Sequence, residues 1–202
     1  MRRIVVSTYV TLDGVFEEPA WSAPYWSDEA QKFARDQLWE SDALLLGRTT
    51  YEEFASAWPT EEHIEAEGEF AERMNSYPKY VASNTLEEPL AWNNSHLIKG
   101  DVAQEIGKLK EESGQDILMY SSVGLMRTLM ENNLVDRYRI WIHRLVLGSG
   151  ARLFAEGAPK EHGPRGQGVD RVGLDCRKIV GGGLDELAAL QDAELPSQLA
   201  TA

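Results

Sequence analysis

The pattern that most constrains this chain is a repeated unit: a short apolar run without polar alternation ends in small polar residues and passes into a segment of helical period. Ala43-Leu44-Leu45-Leu46 is its clearest instance. A run that is apolar at every position must be covered on both faces, which is the situation of a strand in a parallel sheet flanked by helices. Lys79 to Ala82, Ser95 to Ile98 and Asp116 to Tyr120 repeat the short-strand signal, with helical segments between several of them. Residues 4–12 form a first strand rich in β-branched residues, stopped by the turn pair Asp13-Gly14.

Helix signals fill the intervals. Ser27-Asp28-Glu29 opens a helix that carries Ala30, Phe33, Ala34 and Leu38 at spacings of three and four. A further helix begins near Thr50. Asp101 and Gln104 frame a capping box ahead of Val102, Ile106 and Leu109, and Gly114 closes that segment. The helix with Leu125 and Leu129 ends at Asn132-Asn133, and a long strand is expected over residues 138–147 before Gly148-Ser149-Gly150. Strands alternating with helices predict an α/β fold, a mostly parallel central sheet with helices on both faces, whose ligands bind at the carboxyl ends of strands.

The 202 residues, 43% of them apolar, suffice for the core of one ordinary domain. Residues 1–156 carry the pattern. Residues 157–202 are expected as a divergent tail, loop-like over 157–168 and amphipathic from Leu184 to Leu195. Met1-Arg2-Arg3 is followed by an apolar run of only three residues, and no stretch approaches bilayer length, so a cytoplasmic protein without a membrane partner is expected. The lone Cys176 leaves no internal disulfide and reads as incidental. No two of His63, His96, His143 and His162 share metal-ligand spacing, and no metal is expected. A formal charge of −13 argues against a nucleic-acid partner, which would need a basic face. It does not forbid a local phosphate site built from helix-start amides and an arginine.

Three strand-to-helix turns have that chemistry. Gly47-Arg48-Thr49-Thr50 combines a glycine that admits close backbone approach, a cation and two hydroxyls. The competing reading is an ordinary turn with Thr49 or Thr50 as N-cap. Ser83-Asn84-Thr85 offers small polar groups that suit a ribose or its phosphate, or equally a capped turn. Ser121-Ser122-Val123-Gly124-Leu125 places small residues where a diphosphate could approach.

With these turns in place the chain resembles the dihydrofolate reductase-like family, in the branch that includes the reductase (RibD C-terminal) domain of riboflavin biosynthesis. The matching stretches, in family order, are Thr11-Leu12-Asp13-Gly14-Val15, residues 45–54, residues 79–83, residues 121–125, and Leu134-Val135-Asp136 leading to residues 146–154. The resemblance implies an NADPH-dependent reductase. Its activity would be hydride transfer to a pyrimidine- or pteridine-like small molecule, as in 5-amino-6-(5-phosphoribosylamino)uracil reductase or dihydrofolate reductase, and its assembly a homodimer. It assigns Gly47, Arg48, Thr49 and Thr50 together with Ser122, Val123, Gly124 and Leu125 to the cofactor phosphates, and Ser83 and Asn84 to the neighbourhood of the adenosine ribose. It also puts Asp13 and Gly14 on the border of the nicotinamide and substrate cleft.

The chain departs from the family at four places. Ser121 stands where glycine is usual, Arg144 where proline is common, and the tail lacks the usual signals for the closing strands. At the family's helix carboxylate position the chain has Gln31. Asp13 is therefore the expected catalytic carboxylate, with a polar turn residue as its alternative. Trp21, Tyr25 and Trp26 are candidates for a pocket around a planar ring or, alternatively, for aromatic packing. A second function from a different class is open too: a non-catalytic nucleotide-binding or interaction protein that keeps the fold.

Overall fold

The computed structural model describes residues 1–120 and 122–154, and the backbone of residues 173–178. Ser121, the stretch 157–168, the side chain of Cys176 and the segment from Leu184 to Leu195 lie outside the described residues.

The strands are β1 (Ile4–Thr11), β2 (Ser41–Gly47), β3 (Lys79–Ala82), β4 (Ser95–Ile98), β5 (Asp116–Tyr120), β6 (Arg137–His143) and β7 (Gly173–Lys178). They form one sheet in the order β4-β3-β2-β5-β1-β6-β7, with every pairing parallel. The helices are α1 (Asp28–Trp39), α2 (Arg48–Ala57), α3 (Glu61–Glu67), α4 (Glu69–Ser76), α5 (Val102–Glu111) and α6 (Val123–Glu131), with a 3-10 turn over Pro19–Tyr25. No described helix is long and apolar enough to cross a membrane.

The non-alternating strands are buried on both faces, for the reason their composition suggests. Ile4, Val6, Leu45, Ile117 and Met119 pack with Ile106, Leu125, Met126 and Leu129 from α5 and α6. The alternate positions Val5, Leu44, Leu46 and Leu118 pack on the opposite face with Leu38 of α1, Tyr51 of α2 and Met74 of α4. Each such side chain, withdrawn wholly from water, contributes about 1.5–3 kcal/mol.

Two expectations change. The strand expected over 138–147 ends at His143, opposite Thr11 at the end of β1. Past that point the backbone is diverted: Leu12 N–H donates to the Leu145 carbonyl, and Asp13 takes the amides of Leu147 and Gly148. The tail, in which no closing strand was legible, supplies β7 against β6, so β7 rather than β6 is the edge strand on that side among the described residues.

The chain leaves the neighbouring strands β2 and β5 in opposite directions, toward β3 on one side and toward β6 on the other. The carboxyl ends of β2 and β5 therefore frame the crevice at which open parallel sheets place ligands.

Candidate functional site: a groove and an adjoining aromatic cavity

Helices α2 and α6 start at that crevice. The N-cap of α2 is Gly47 and that of α6 is Ser122, and neither helix is capped by a side chain. Thr49 and Thr50 consequently lie inside the first turn of α2, and neither is its cap. The Ser122 hydroxyl turns across the crevice instead: it accepts from the Gly47 amide at 3.0 Å and shares a hydrogen bond of 2.9 Å with the Thr50 hydroxyl. This ties the two helix starts together and points both uncapped first turns at the same space.

Gly47 has φ −83°, which any residue can adopt; space is what makes it glycine. A Cβ there would meet Ser122 Oγ at 2.5 Å and Ser122 Cβ at 3.0 Å. Arg48, half exposed, pairs along its helix with Glu52 at 3.0 Å. So exposed a pair holds by only about 0.3–0.5 kcal/mol, which leaves the guanidinium available to an anion at small cost.

A groove of about 610 Å³ collects the three turns. It is lined by Gly47, Arg48, Thr49 and Thr50 from the first, Ser83 and Asn84 from the second, and Ser122, Val123, Gly124 and Leu125 from the third. The second turn is also locally capped: Ser83 Oγ accepts from the amides of Thr85 and Leu86, and Asn84 Oδ1 from the Gly100 amide. Thr85 of the second turn lines the groove too, as do the carboxylates Glu17 and Glu18, and Phe16 and Thr128, which carry no signal of their own in the sequence.

A second cavity of about 630 Å³ adjoins the groove, and Pro19, Thr50 and Glu53 line both. Its walls are largely aromatic, with Tyr9, Trp26, Phe54, Trp58, Phe70 and Tyr120. Thr50, Phe54 and Trp58 follow one another at a spacing of four along α2, a helical stripe that could have announced this wall in the sequence. Burial pushes the Tyr9 hydroxyl up to about 12 and the Tyr120 hydroxyl further, so both stay protonated at neutral pH and act as hydrogen-bonding groups only.

The aromatic candidates divide. Trp26 lines this cavity, whereas Trp21 and Tyr25 pack edge-on against His143 at 5.2 and 5.7 Å. Asp13 and Gly14 are not among the residues lining the groove or the cavity. The Asp13 carboxylate accepts from the Thr11 hydroxyl at 2.6 Å and from the amides of Gly148 at 2.8 Å and Leu147 at 3.3 Å. Those bonds, the Thr11 hydroxyl foremost, hold its carboxyl down at about 2. Asp13 so held is a clamp that ties the 11–14 turn to Leu147 and Gly148, outside the lining of the groove and the cavity. Gln31 and Asp28 both line the aromatic cavity. Among the described residues no group of three His, Cys, Asp or Glu is placed to hold a metal.

Two uncapped helix starts at the switch point of a parallel sheet, beside an apolar cavity, are features of open α/β sheets with a ligand crevice. The sequence model of the RibD C-terminal domain family matches residues 2–180, and the chain belongs to that family, which is reductase-like and has the dihydrofolate reductase-like fold. Among curated relatives, the uncharacterized protein YyaP of Bacillus subtilis is 32% identical over 155 residues, covering 77% of this chain and 81% of its own length. YwjB of the same organism, also uncharacterized, is 26% identical over 161 residues, covering 77% and 84%. Among solved structures, a putative riboflavin biosynthesis protein from Shewanella sp. PV-4 superimposes with a TM-score of 0.57 at 21% identity, covering 76% of this chain and 84% of that one.

Proposed function

We propose that this protein is an NADPH-dependent reductase that binds the cofactor's phosphates in the groove and reduces a small planar heterocycle in the aromatic cavity. The observation that carries this reading is the convergence of all three turns, separated by tens of residues in sequence, on one groove continuous with a ring-sized pocket. The residues fit the cofactor. Two uncapped helix starts offer amides to a diphosphate, Gly47 leaves the space a Cβ would fill, and Arg48 is held loosely enough to meet a 2′-phosphate. Bound there, NADPH supplies a hydride. Thr50 and Glu53, which line both spaces, would orient the reacting ring at their junction, and the proton that completes the reduction would come from solvent at the cavity rim.

A binder without turnover is the second reading, favoured by the ionised clamp at Asp13 and by Gln31 at the family's carboxylate position. Titrating NADPH into the purified protein and following cofactor fluorescence tests the first half, with saturable binding below millimolar concentration expected. Absence of saturation refutes both readings. Oxidation of bound NADPH on adding pyrimidine or dihydropteridine substrates supports the reductase; binding with no oxidation across the panel supports the binder.

A further inference from the structure

The charge around the aromatic cavity selects its ligand. Lys32 and Arg35 are the cations of its lining, and each faces a carboxylate in an exposed pair: Lys32 with Asp36 at 2.5 Å, and Arg35 with Glu69 at 2.5 Å while its guanidinium lies over the Trp39 ring. Three further carboxylates line the cavity, Asp28 from α1, Glu53 from α2 and Glu67 from α3. With the partners included, the rim holds five carboxylates against two cations. The helices that bring Glu67 and Phe70 to the cavity also carry Glu61, Glu62, Glu65 and Glu72 against the single cation Arg73, which deepens the negative field at that side.

The inner wall adds an acceptor. Gln37 lines the cavity and is only 1% exposed; its side chain hydrogen-bonds the Tyr120 hydroxyl, while its Oε1 has no hydrogen-bond partner among the described residues. A buried acceptor left unpaired costs free energy that a ring N–H or amino group could recover. The hydroxyls of Tyr9 and Tyr120 on the same wall are neutral.

We infer that the aromatic cavity takes a planar aromatic amine, uncharged or cationic, that carries no phosphate, with the rim carboxylates of Asp28, Glu53 and Glu67 rejecting phosphorylated rings. This rests on the proposed reading only in calling the cavity the substrate's seat; the charge selection itself needs no cofactor. It separates this chain's substrate from a ribose-phosphate-bearing pyrimidine, because a phosphate dianion at the rim would meet more carboxylates than cations.

Two matched probe pairs test it, read by tryptophan and probe fluorescence with and without saturating NADP⁺. Thiamine should bind about tenfold more tightly than thiamine monophosphate at low salt, and the gap should close as salt is raised until the Debye length falls to roughly 3 Å. Proflavine, a cationic diamine, should outbind neutral acridone by a similar factor. The double variant Asp28→Asn/Glu67→Gln, whose changes touch only the cavity rim, should shrink both gaps and leave NADP⁺ affinity unaltered. Gln37→Met should weaken proflavine about fivefold through the lost acceptor. Equal or tighter binding of the phosphorylated probe, or gaps that survive the double variant, overturns the inference even where NADP⁺ binds normally. Preserved probe discrimination in a protein that fails to bind NADP⁺ overturns the cofactor reading and leaves this one standing.

Discussion

Gly47→Ala probes the joint on which the groove depends. The added Cβ would sit 2.5 Å from Ser122 Oγ and 3.0 Å from Ser122 Cβ, closer than packed atoms tolerate, so the starts of α2 and α6 must part. Overpacking of this kind costs about 1–3 kcal/mol. Parting also stretches the bond from the Gly47 amide to Ser122, for a further loss of about 0.5–1.5 kcal/mol. Ser122→Gly alone removes the hydroxyl that bridges Gly47 and Thr50, a loss of about 1–2 kcal/mol. In the double variant the nearest remaining obstacle to the new methyl is Leu125 Cβ at 3.8 Å, an ordinary contact. The double variant should therefore be about as stable as Ser122→Gly, giving a coupling equal to the whole Gly47→Ala loss, about 1.5–4.5 kcal/mol. Urea unfolding of the four proteins measures the cycle, and NADPH titration of the same four should rank them in the same order. Additive stability losses, or a Gly47→Ala protein as stable as the parent, would refute the steric account of this glycine.

Arg48→Ala should weaken NADPH far more than NADH while changing stability by less than about 0.5 kcal/mol, since its pair with Glu52 is half exposed; equal losses for the two cofactors would remove Arg48 from the 2′-phosphate. The Asp13 carboxyl lies near 2 in the folded protein against an ordinary 3.8, so its contribution to stability is complete above about pH 4 and fades toward pH 2. The difference in melting temperature between parent and Asp13→Asn should accordingly narrow over that window, with cofactor affinity unchanged; a constant difference argues against the clamp. Burial lowers His143 from its ordinary 6.5, so the unfolded chain takes up that proton first and stability falls as pH drops below 6.5. His143→Phe, placed among the rings of Tyr9, Trp21 and Tyr25, should flatten the pH dependence of the melting temperature there, and an unaltered slope would exclude His143 as its source. Lys79→Met should destabilise by about 2–4 kcal/mol, because the buried ammonium holds the carbonyls of Asn75, Tyr77 and Asn93; a loss under about 0.5 kcal/mol would mean that they find other donors.

Much of this molecule was open to reading from local chemistry. Leu44-Leu45-Leu46 can be covered on both faces only inside a parallel sheet, and glycine and small polar residues after such strands are where an anion meets helix amides. Those are properties of a few adjacent residues, so the fold class and the groove-lining turns at Gly47, Ser83 and Ser122 were legible in the chain itself. Three features depended on pairings remote in sequence. Residues 145–147 continue an apolar pattern, but the strand ends at His143, and Asp13, far off in the chain, takes the amides of Leu147 and Gly148. The same bonds turn a promising carboxylate into an ionised clamp, because a proton's affinity is set by the donors around the group and not by its place in a motif. The aromatic cavity gathers Tyr9, Gln37, Phe54, Glu67 and Tyr120 from β1, α1, α2, α3 and β5. Only the order in which the sheet stacks its strands brings such residues within reach of one ring. Turn chemistry is local and was written in the sequence; the shape and charge of the cavity beside it are sums over distant elements, and only the tertiary structure carries them out.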